Sequence, residues 1–163
     1  MRNRSGRPAD EIQNVIEHYG DSLYRLCLVQ LGHRQDAEDA LQETLLRYLA
    51  KAPRFREDEH EKAWLIRVAL NICRNMQSFS RRHRHENLDN LTGYSETKES
   101  FSILESVSAL PPKYKSVILL YYIEGYGIAE ITKITGLTVS AVKKRLQRGR
   151  ERLRLEIEKE RLL

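Results

Sequence analysis

The sequence has few cysteines and prolines and no long apolar run. Its 163 residues include two cysteines and four prolines. No apolar segment approaches the ~20 residues of a membrane-spanning helix. The first residues, MRNRSGRPADE, lack the apolar core of a signal peptide. These absences argue against membrane insertion and against a disulfide-stabilised secreted domain, so we expect a cytoplasmic protein.

The two cysteines have no metal-ligand spacing, and each lies in an apolar helical pattern. We therefore expect Cys27 and Cys73 to be buried, reduced thiols. No cofactor or metal site is expected from the sequence.

Strand alternation is also missing, whereas helical periodicity covers most of the chain. Apolar residues recur at helical spacing from about residue 9 to 82, with breaks at 32–33 and 53, and again from residue 110 onward. Between these parts lies ENLDNLTGYSETKES, with four acidic residues and few core-forming side chains. We predict an all-α protein with two small helical domains, residues 10–85 and 101–160, joined by a flexible acidic linker at 86–100.

Positive charge is concentrated near the C-terminus. Residues 138–154, TVSAVKKRLQRGRERLR, contain seven Lys or Arg and one acid, and this net charge of +6 exceeds the +5 of the whole chain. The preceding residues carry helix boundaries. Pro112 suits the first position of a helix whose apolar side includes Val117, Leu120 and Tyr121. Gly125 and Gly136 suit left-handed stops, and Thr138 suits an N-cap. A short helix, a tight turn and a basic helix form the helix-turn-helix pattern.

The last helix has an apolar side and a polar side. Val139, Val142, Leu146 and Leu153 are spaced to pack inward. The opposite side carries groups that clamp phosphates and read base edges, namely Ser140, Lys143, Lys144, Gln147 and Arg148. A solvated basic helix is the alternative, but the preceding turn favours a DNA-reading helix.

The helix near residues 34–51 has two different faces. Its core stripe consists of Ala37, Leu41, Thr44, Leu45 and Tyr48. A second face, at i, i+3, i+4 and i+7, consists of Asp39, Gln42, Glu43 and Leu46. Spacing alone does not decide whether this face is an acidic solvent-exposed surface or a docking surface. An apolar residue among polar groups is typical of a docking surface.

The helix that follows carries Ile66, Ala69, Leu70, Cys73 and Met76 on its apolar side. A polar stripe at i, i+4, i+7, i+8 and i+11 consists of Arg67, Asn71, Arg74, Asn75 and Ser78. Guanidinium and amide groups in one row suit phosphate contact and base readout. Phe55, on the preceding loop, either stacks on an unpaired base or covers the core.

Together these segments resemble the sigma-70 family of bacterial transcription initiation factors, of the extracytoplasmic-function (ECF) type. The family's polymerase-binding helix in region 2 is similar to DAEDALQETLLRYL, and its −10 recognition segment is similar to FREDEHEKAWLIRVALNICRNM. Region 4, the −35 reader, is similar to LPPKYKSVILLYYIEGYGIAEITKITGLTVSAVKKRLQRGRERLR. The loop REDEH replaces the family's usual Arg-Gly-Asp, and Lys144 stands where many relatives have Ser.

The resemblance implies a role for each surface. Asp39, Gln42 and Glu43 fall where the family docks on core RNA polymerase, and we add Leu46 to that surface. Asn71 and Asn75 fall where the family holds flipped −10 bases. The basic side of the last helix corresponds to the family surface that faces the −35 major groove. The linker corresponds to the connector that runs toward the RNA path inside polymerase. An anti-sigma factor is an expected partner, and catalysis is left to polymerase.

Two other functions are open from the residues alone. A stand-alone helix-turn-helix regulator would use its N-terminal domain for dimerisation. A metal-dependent nuclease would use the carboxylates of the second helix, namely Asp36, Glu38, Asp39 and Glu43. Of these, Asp39 and Glu43 are spaced i, i+4 and would share a cation. No HExxH-type motif accompanies those carboxylates.

Overall fold

The computed structural model describes residues 9–80 and 104–162, and the predicted linker at 86–100 lies outside them. Helices fill most of the described chain, and no strand occurs in these two ranges. This confirms the predicted all-α class. The helices form an N-terminal lobe and a C-terminal lobe.

The N-terminal lobe consists of α1 (Ala9–Leu31), α2 (Arg34–Lys51) and α3 (Asp58–Ser80). Gly32 ends α1 in the left-handed region at φ 69°. His33 then begins α2 as its N-cap, because its Nδ1 accepts a hydrogen bond from the Asp36 backbone N–H at 3.3 Å. The three helices pack against one another around a buried apolar core, which fixes the exposed faces of α2 and α3.

Both cysteines lie in this core. Cys27 on α1 and Cys73 on α3 are free thiols and are almost completely buried, as predicted. A hydrogen bond with Cys27 raises the pKa of the Cys73 thiol well above its ordinary value, and burial raises it further. Both side chains therefore act as small apolar core residues.

Within residues 104–162 the C-terminal lobe has four helices and one π-helical turn. Helix α4 covers residues 104–108, and α5 (Pro112–Ile118) continues into the π-helical turn Leu119–Ile123. Helices α6 (Ile128–Thr135) and α7 (Val139–Leu162) form the helix-turn-helix pair.

The boundary residues predicted for α5, α6 and the start of α7 are confirmed. Pro112 opens α5, and Gly125 and Gly136 adopt φ values of 76° and 75° at the two stops. Thr138 caps α7, since its Oγ1 accepts a hydrogen bond from the Ala141 backbone N–H at 3.1 Å.

Two predicted core positions are wrong. Val139 is 48% exposed, because it belongs to the first turn of α7, where residues 138–140 are all exposed. Tyr121 is 37% exposed, although Val117 and Leu120 are buried as predicted. It lies in the π-helical turn, in which the Glu124 backbone N–H bonds the Leu119 carbonyl at 3.0 Å. This wider turn changes the angular step between side chains, so Tyr121 leaves the apolar face.

The two lobes also contact each other directly. Helix α1 packs against α5, and α3 packs against α6. The buried apolar residues of both lobes form one continuous cluster. The sequence predicted two lobes separated by a linker and gave no indication of this contact.

Candidate polymerase and nucleic-acid interfaces

The predicted docking residues of α2 share one exposed face. Asp39, Gln42, Glu43 and Leu46 are all exposed, and 57% of the Leu46 surface is accessible. The carboxylate of Asp39 accepts a hydrogen bond from the Gln35 side-chain amide at 3.1 Å, and Glu43 pairs with Arg47 at 3.3 Å. These i, i+4 contacts hold both carboxylates on the surface around an apolar side chain.

The opposite side of α2 explains why this face points outward. Ala37, Ala40 and Tyr48 are almost fully buried against the other two helices. Tyr48 donates its hydroxyl to Glu61 on α3 at 2.9 Å, and so fastens α2 to α3. With one side of α2 buried in this way, the acidic face with Leu46 is left exposed to solvent.

The predicted polar stripe of α3 is exposed where its side chains are described. Arg67, Asn71, Arg74 and Asn75 are exposed, whereas the side chain of Ser78 lies outside the described set. The opposite side of α3 is buried at Ile66, Ala69, Leu70 and Cys73, as predicted. The stripe therefore presents amides and guanidinium groups in one row.

One residue of the stripe already has partners in the other lobe. The Arg67 guanidinium donates hydrogen bonds to the carbonyl oxygens of Lys133 and Ile134, and the Nε–O distance to Ile134 is 3.3 Å. These carbonyls belong to the last turn of α6, at the negative end of its helix dipole. Arg67 thus binds electronegative oxygens in the way that it would bind phosphate or base oxygens.

The loop before α3 holds Phe55 against the core. The Phe55 ring is half-buried, with its centroid 6.0 Å from that of Trp64 at a tilt of 60°. Trp64 in turn meets Tyr48 edge to face at 6.2 Å. Phe55 therefore covers the core in this structure, and its stacking on a promoter base stays a prediction.

The basic face of α7 is exposed as predicted. The exposed residues are Ser140, Lys143, Lys144, Gln147 and Arg148. Val142 and Leu146 are buried on the other side, and Gly149 allows close approach to α5. The Gln147 amide lies 3.5 Å from Glu151, a long contact that leaves donors for a base edge. The face is a continuous surface suited to a major groove.

Sequence reasoning missed a charged cluster between the lobes. The Glu124 side chain, at the end of the π-helical turn, is only 5% exposed. One of its carboxylate oxygens accepts a hydrogen bond from the Ser22 hydroxyl at 2.5 Å and lies 3.6 Å from the Lys62 ammonium. The other accepts a hydrogen bond from the Arg25 guanidinium at 3.2 Å. These partners lie far from Glu124 in the sequence, and no spacing rule connects them.

A second polar contact between the lobes involves a buried lysine. The Lys115 ammonium lies 3.5 Å from the backbone carbonyl of Gln30, which also accepts a hydrogen bond from the Gln77 side chain at 2.7 Å. Burial lowers the pKa of Lys115. A helical pattern does not predict a buried lysine, because it depends on the facing lobe.

The carboxylates named for a nuclease do not form a metal-binding group. Within residues 9–80 and 104–162 no three His, Cys, Asp or Glu side chains are grouped so that they could hold a metal ion. Over the same ranges no helix is both long enough and apolar enough to span a bilayer.

Comparison with known proteins assigns the two lobes to one family. The family model for sigma-70 region 2 matches residues 15–85, and the model for sigma-70 region 4 matches residues 100–153. The ECF RNA polymerase sigma factor SigW of Bacillus subtilis is 30% identical, over 91% of this chain and 89% of SigW. The RNA polymerase sigma factor SigV of the same organism is 28% identical, over 98% of each chain. The chain therefore belongs to the ECF sigma factors of the sigma-70 family.

Solved structures show the same fold. CnrH, solved in complex with the cytosolic domain of CnrY, superposes with a TM-score of 0.70 at 22% identity, over 93% of this chain and 90% of CnrH. The sigma factor RpoE of Bartonella quintana, solved with the anti-sigma factor NepR, superposes with a TM-score of 0.71 at 20% identity, over 93% of this chain and 98% of RpoE. The family assignment favours a sigma factor that directs transcription initiation over a stand-alone regulator or a nuclease.

Proposed function

We propose that this chain docks on core RNA polymerase through α2 and reads two promoter elements with its two lobes. The observation that carries the proposal is the presence of three differently built exposed faces on one chain: an acidic face with Leu46, a polar stripe on α3 and a basic face on α7. The first suits a protein partner, and the other two suit DNA. No chemistry is assigned to the chain itself, since polymerase forms the RNA bonds.

The basic face of α7 is proposed to enter the major groove of the −35 element. Lys143, Lys144 and Arg148 supply phosphate and base contacts, and Gln147 supplies an amide that pairs with a base edge. Phosphate contacts give affinity that falls with salt, whereas base contacts give sequence choice. Both kinds of group lie on one helical face, so a single docking pose uses them together.

The polar stripe of α3 is proposed to hold the melted −10 strand. Asn71 and Asn75 lie one turn apart on an exposed face and present amides to extruded bases. Unstacking a base costs a few kcal/mol, which such contacts offset. Fluorescence of 2-aminopurine placed at the −10 position should rise on addition of holoenzyme, and the rise should be lost with Asn71→Ala/Asn75→Ala.

An anti-sigma protein is the proposed inhibitory partner, and the cytoplasm is the proposed location. RpoE, which has this fold, was solved with the anti-sigma factor NepR, and CnrH was solved with the cytosolic domain of CnrY. On the C-terminal lobe Tyr121 and Tyr122 are exposed side by side, with ring centroids 4.9 Å apart, and offer apolar area for that contact. Co-expression with its anti-sigma protein should abolish specific transcription, and Tyr121→Ser/Tyr122→Ser should restore it.

A reconstituted run-off transcription assay tests the proposed function. Purified chain and sigma-free core polymerase are combined on a promoter library. Specific start sites should appear and should vanish with Asp39→Ala/Gln42→Ala/Glu43→Ala. The matched control, Gln13→Ala/Glu17→Ala, removes an exposed hydrogen-bonded i, i+4 pair from α1 and should leave transcription intact. Tight duplex binding by the chain alone, without specific transcripts, would favour a stand-alone regulator instead.

A further inference from the structure

The surface of the N-terminal lobe that faces the C-terminal lobe carries three cations. Arg25 on α1 and Lys62 and Arg67 on α3 all point their charged groups at oxygen atoms of the other lobe. The acceptors are the Glu124 carboxylate and the last carbonyls of α6. A carboxylate and a helix C-terminus are both electronegative, as phosphate is. The C-terminal lobe thus offers these cations the kind of ligand that DNA offers.

The same contact brings the two reading surfaces too close together for a promoter. Arg67 bonds Ile134, and the recognition helix begins five residues later at Val139, at most about 18 Å along the chain. The names of the −35 and −10 elements place them about 25 base pairs apart. At ~3.4 Å per base pair this separation is roughly 85 Å of duplex. One chain in this arrangement cannot read both elements, so the lobes must separate on a promoter.

The interface between the lobes is also incompletely satisfied. In the described ranges the buried side-chain polar atoms without a hydrogen-bond partner are Arg25 Nε, Gln30 Nε2 and Tyr126 Oη. All three lie at or beside the lobe contact: Arg25 pairs with Glu124, the Gln30 carbonyl faces Lys115, and the Tyr126 ring lies 5.4 Å from the Lys62 ammonium. Buried unsatisfied groups destabilise the state that contains them. Separation of the lobes would let water bind these three groups.

We propose that Glu124 and the C-terminal carbonyls of α6 bind Arg25, Lys62 and Arg67 in place of DNA phosphates. In the free chain these three cations are therefore not available to DNA. When the lobes separate, the same three cations become contacts for the backbone of promoter DNA. Arg25 and Lys62 thereby join the DNA-binding surface. The inference rests on the proposed −10 role of α3, because it places DNA on that side of the lobe.

This exchange of Glu124 for DNA phosphates explains why the acid of the cluster belongs to the C-terminal lobe. Glu124 neutralises two cations that would otherwise attract any nucleic acid by counterion release. Its own burial is tolerated because both carboxylate oxygens are paired. Separating the lobes exposes the carboxylate and the cations together, and promoter DNA then binds the cations.

The test uses the full-length free chain and two readouts. Small-angle X-ray scattering reports opening as a larger radius of gyration, and anisotropy of fluorescein-labelled oligo(dT) reports phosphate-dependent DNA binding. Glu124→Gln should enlarge the chain and tighten oligo(dT) binding about tenfold or more. Lys62→Met should also enlarge it, but without tighter binding, because it removes one cation that DNA would use. Circular dichroism verifies folding, and Lys62→Met, at a side chain 28% exposed, still reports on the contact where Glu124→Gln fails to fold.

Glu130→Gln is the matched control, since it removes one negative charge from an exposed position on α6. It should change neither readout. Three outcomes would each overturn the proposal. The first is equally tighter oligo(dT) binding by Glu124→Gln and Glu130→Gln, and the second is equally tighter binding by Glu124→Gln and Lys62→Met. The third is an unchanged radius of gyration in every variant. The run-off assay with wild-type chain and polymerase is independent of these readouts, so failure of the sigma function is distinguishable from failure of the exchange.

Discussion

Gly149 on α7 and Ile118 on α5 approach so closely that no side chain fits between them. A Cβ added at Gly149 would lie 2.7 Å from Ile118 Cγ1 and 2.9 Å from Ile118 Cδ1. Ile118 is itself buried, with 1% of its surface exposed. The close approach brings the recognition helix onto α5 and so fixes the orientation of its basic face.

Gly149→Ala is expected to lower the free energy of unfolding by about 1 kcal/mol. Overpacking of ~1–3 kcal/mol outweighs the ~1 kcal/mol that alanine contributes through helix propensity. Urea denaturation measures the change. In an Ile118→Ala background the clash is absent, so Gly149→Ala should there be neutral or stabilising. An equal cost in both backgrounds would contradict a steric origin.

Leu46→Ser should weaken binding to core polymerase about tenfold without changing the melting temperature. The side chain is 57% exposed, so the folded chain alone loses little apolar contact, whereas a docked partner would bury it. Biolayer interferometry with sigma-free core polymerase measures the affinity. Ile16→Ser serves as the control, because Ile16 on α1 is also exposed, at 43%, but lies outside the docking face. An equal loss from both substitutions would remove α2 from the interface.

Substitutions on the recognition helix should separate affinity from sequence choice. Lys144→Ala is expected to reduce the slope of log K against log salt by about 0.9 for one lost phosphate contact. Gln147→Ala should keep the slope and reduce discrimination at one base pair of the −35 element by about 1–3 kcal/mol. Holoenzyme binding to −35 duplexes over a range of salt concentrations provides both quantities. Lys51→Ala, on α2, should change neither, and a change of base preference with Lys144→Ala alone would reverse the two roles.

Lys115 should make stability depend on pH in the alkaline range. Burial lowers its pKa in the folded state below the ordinary value of 10.5, so between the two values the unfolded chain binds more protons. The free energy of unfolding contributed by this residue therefore rises with pH as 10.5 is approached. Lys115→Met should abolish that rise and raise the free energy of unfolding at pH 7 by about 1 kcal/mol, since Gln77 still satisfies the Gln30 carbonyl.

Denaturation curves recorded at a series of pH values from 7 to 10 measure this effect. Lys51→Met, at an exposed position, should leave the pH profile of the wild-type chain unchanged. A flat profile in the wild-type chain would show that Lys115 keeps its ordinary protonation in the folded state.

The helices and their faces could be predicted because they depend on neighbours along the chain. The stop at Gly136 and the cap at Thr138 follow from local backbone chemistry, and both are confirmed. The buried Val142 and Leu146 follow from a 3.6-residue period. The misplaced Tyr121 marks the limit of that period, since a π-helical turn interrupts it.

The predicted binding residues differ in whether the structure leaves them exposed or gives them other contacts. The exposed face of α2 and the basic face of α7 lie as predicted, since one side of each helix is needed for its own lobe. Phe55 covers the core, and Arg67 is bonded to the other lobe. A sequence pattern identifies which residue types share a face, but it does not show what that face meets.

The sequence by itself determined an all-α chain, its helix boundaries, the faces that carry acid, amide and basic groups, and a resemblance that named the family. Only the tertiary structure decided that the lobes touch, that Glu124 is buried among Ser22, Arg25 and Lys62, and that Lys115 lies against Gln30. The physical reason is the range of the interactions. Helical periodicity and capping act over a few residues. Ser22 and Arg25 are 102 and 99 residues from Glu124 in sequence, Lys62 is also distant, and all three meet Glu124 only when the lobes pack together.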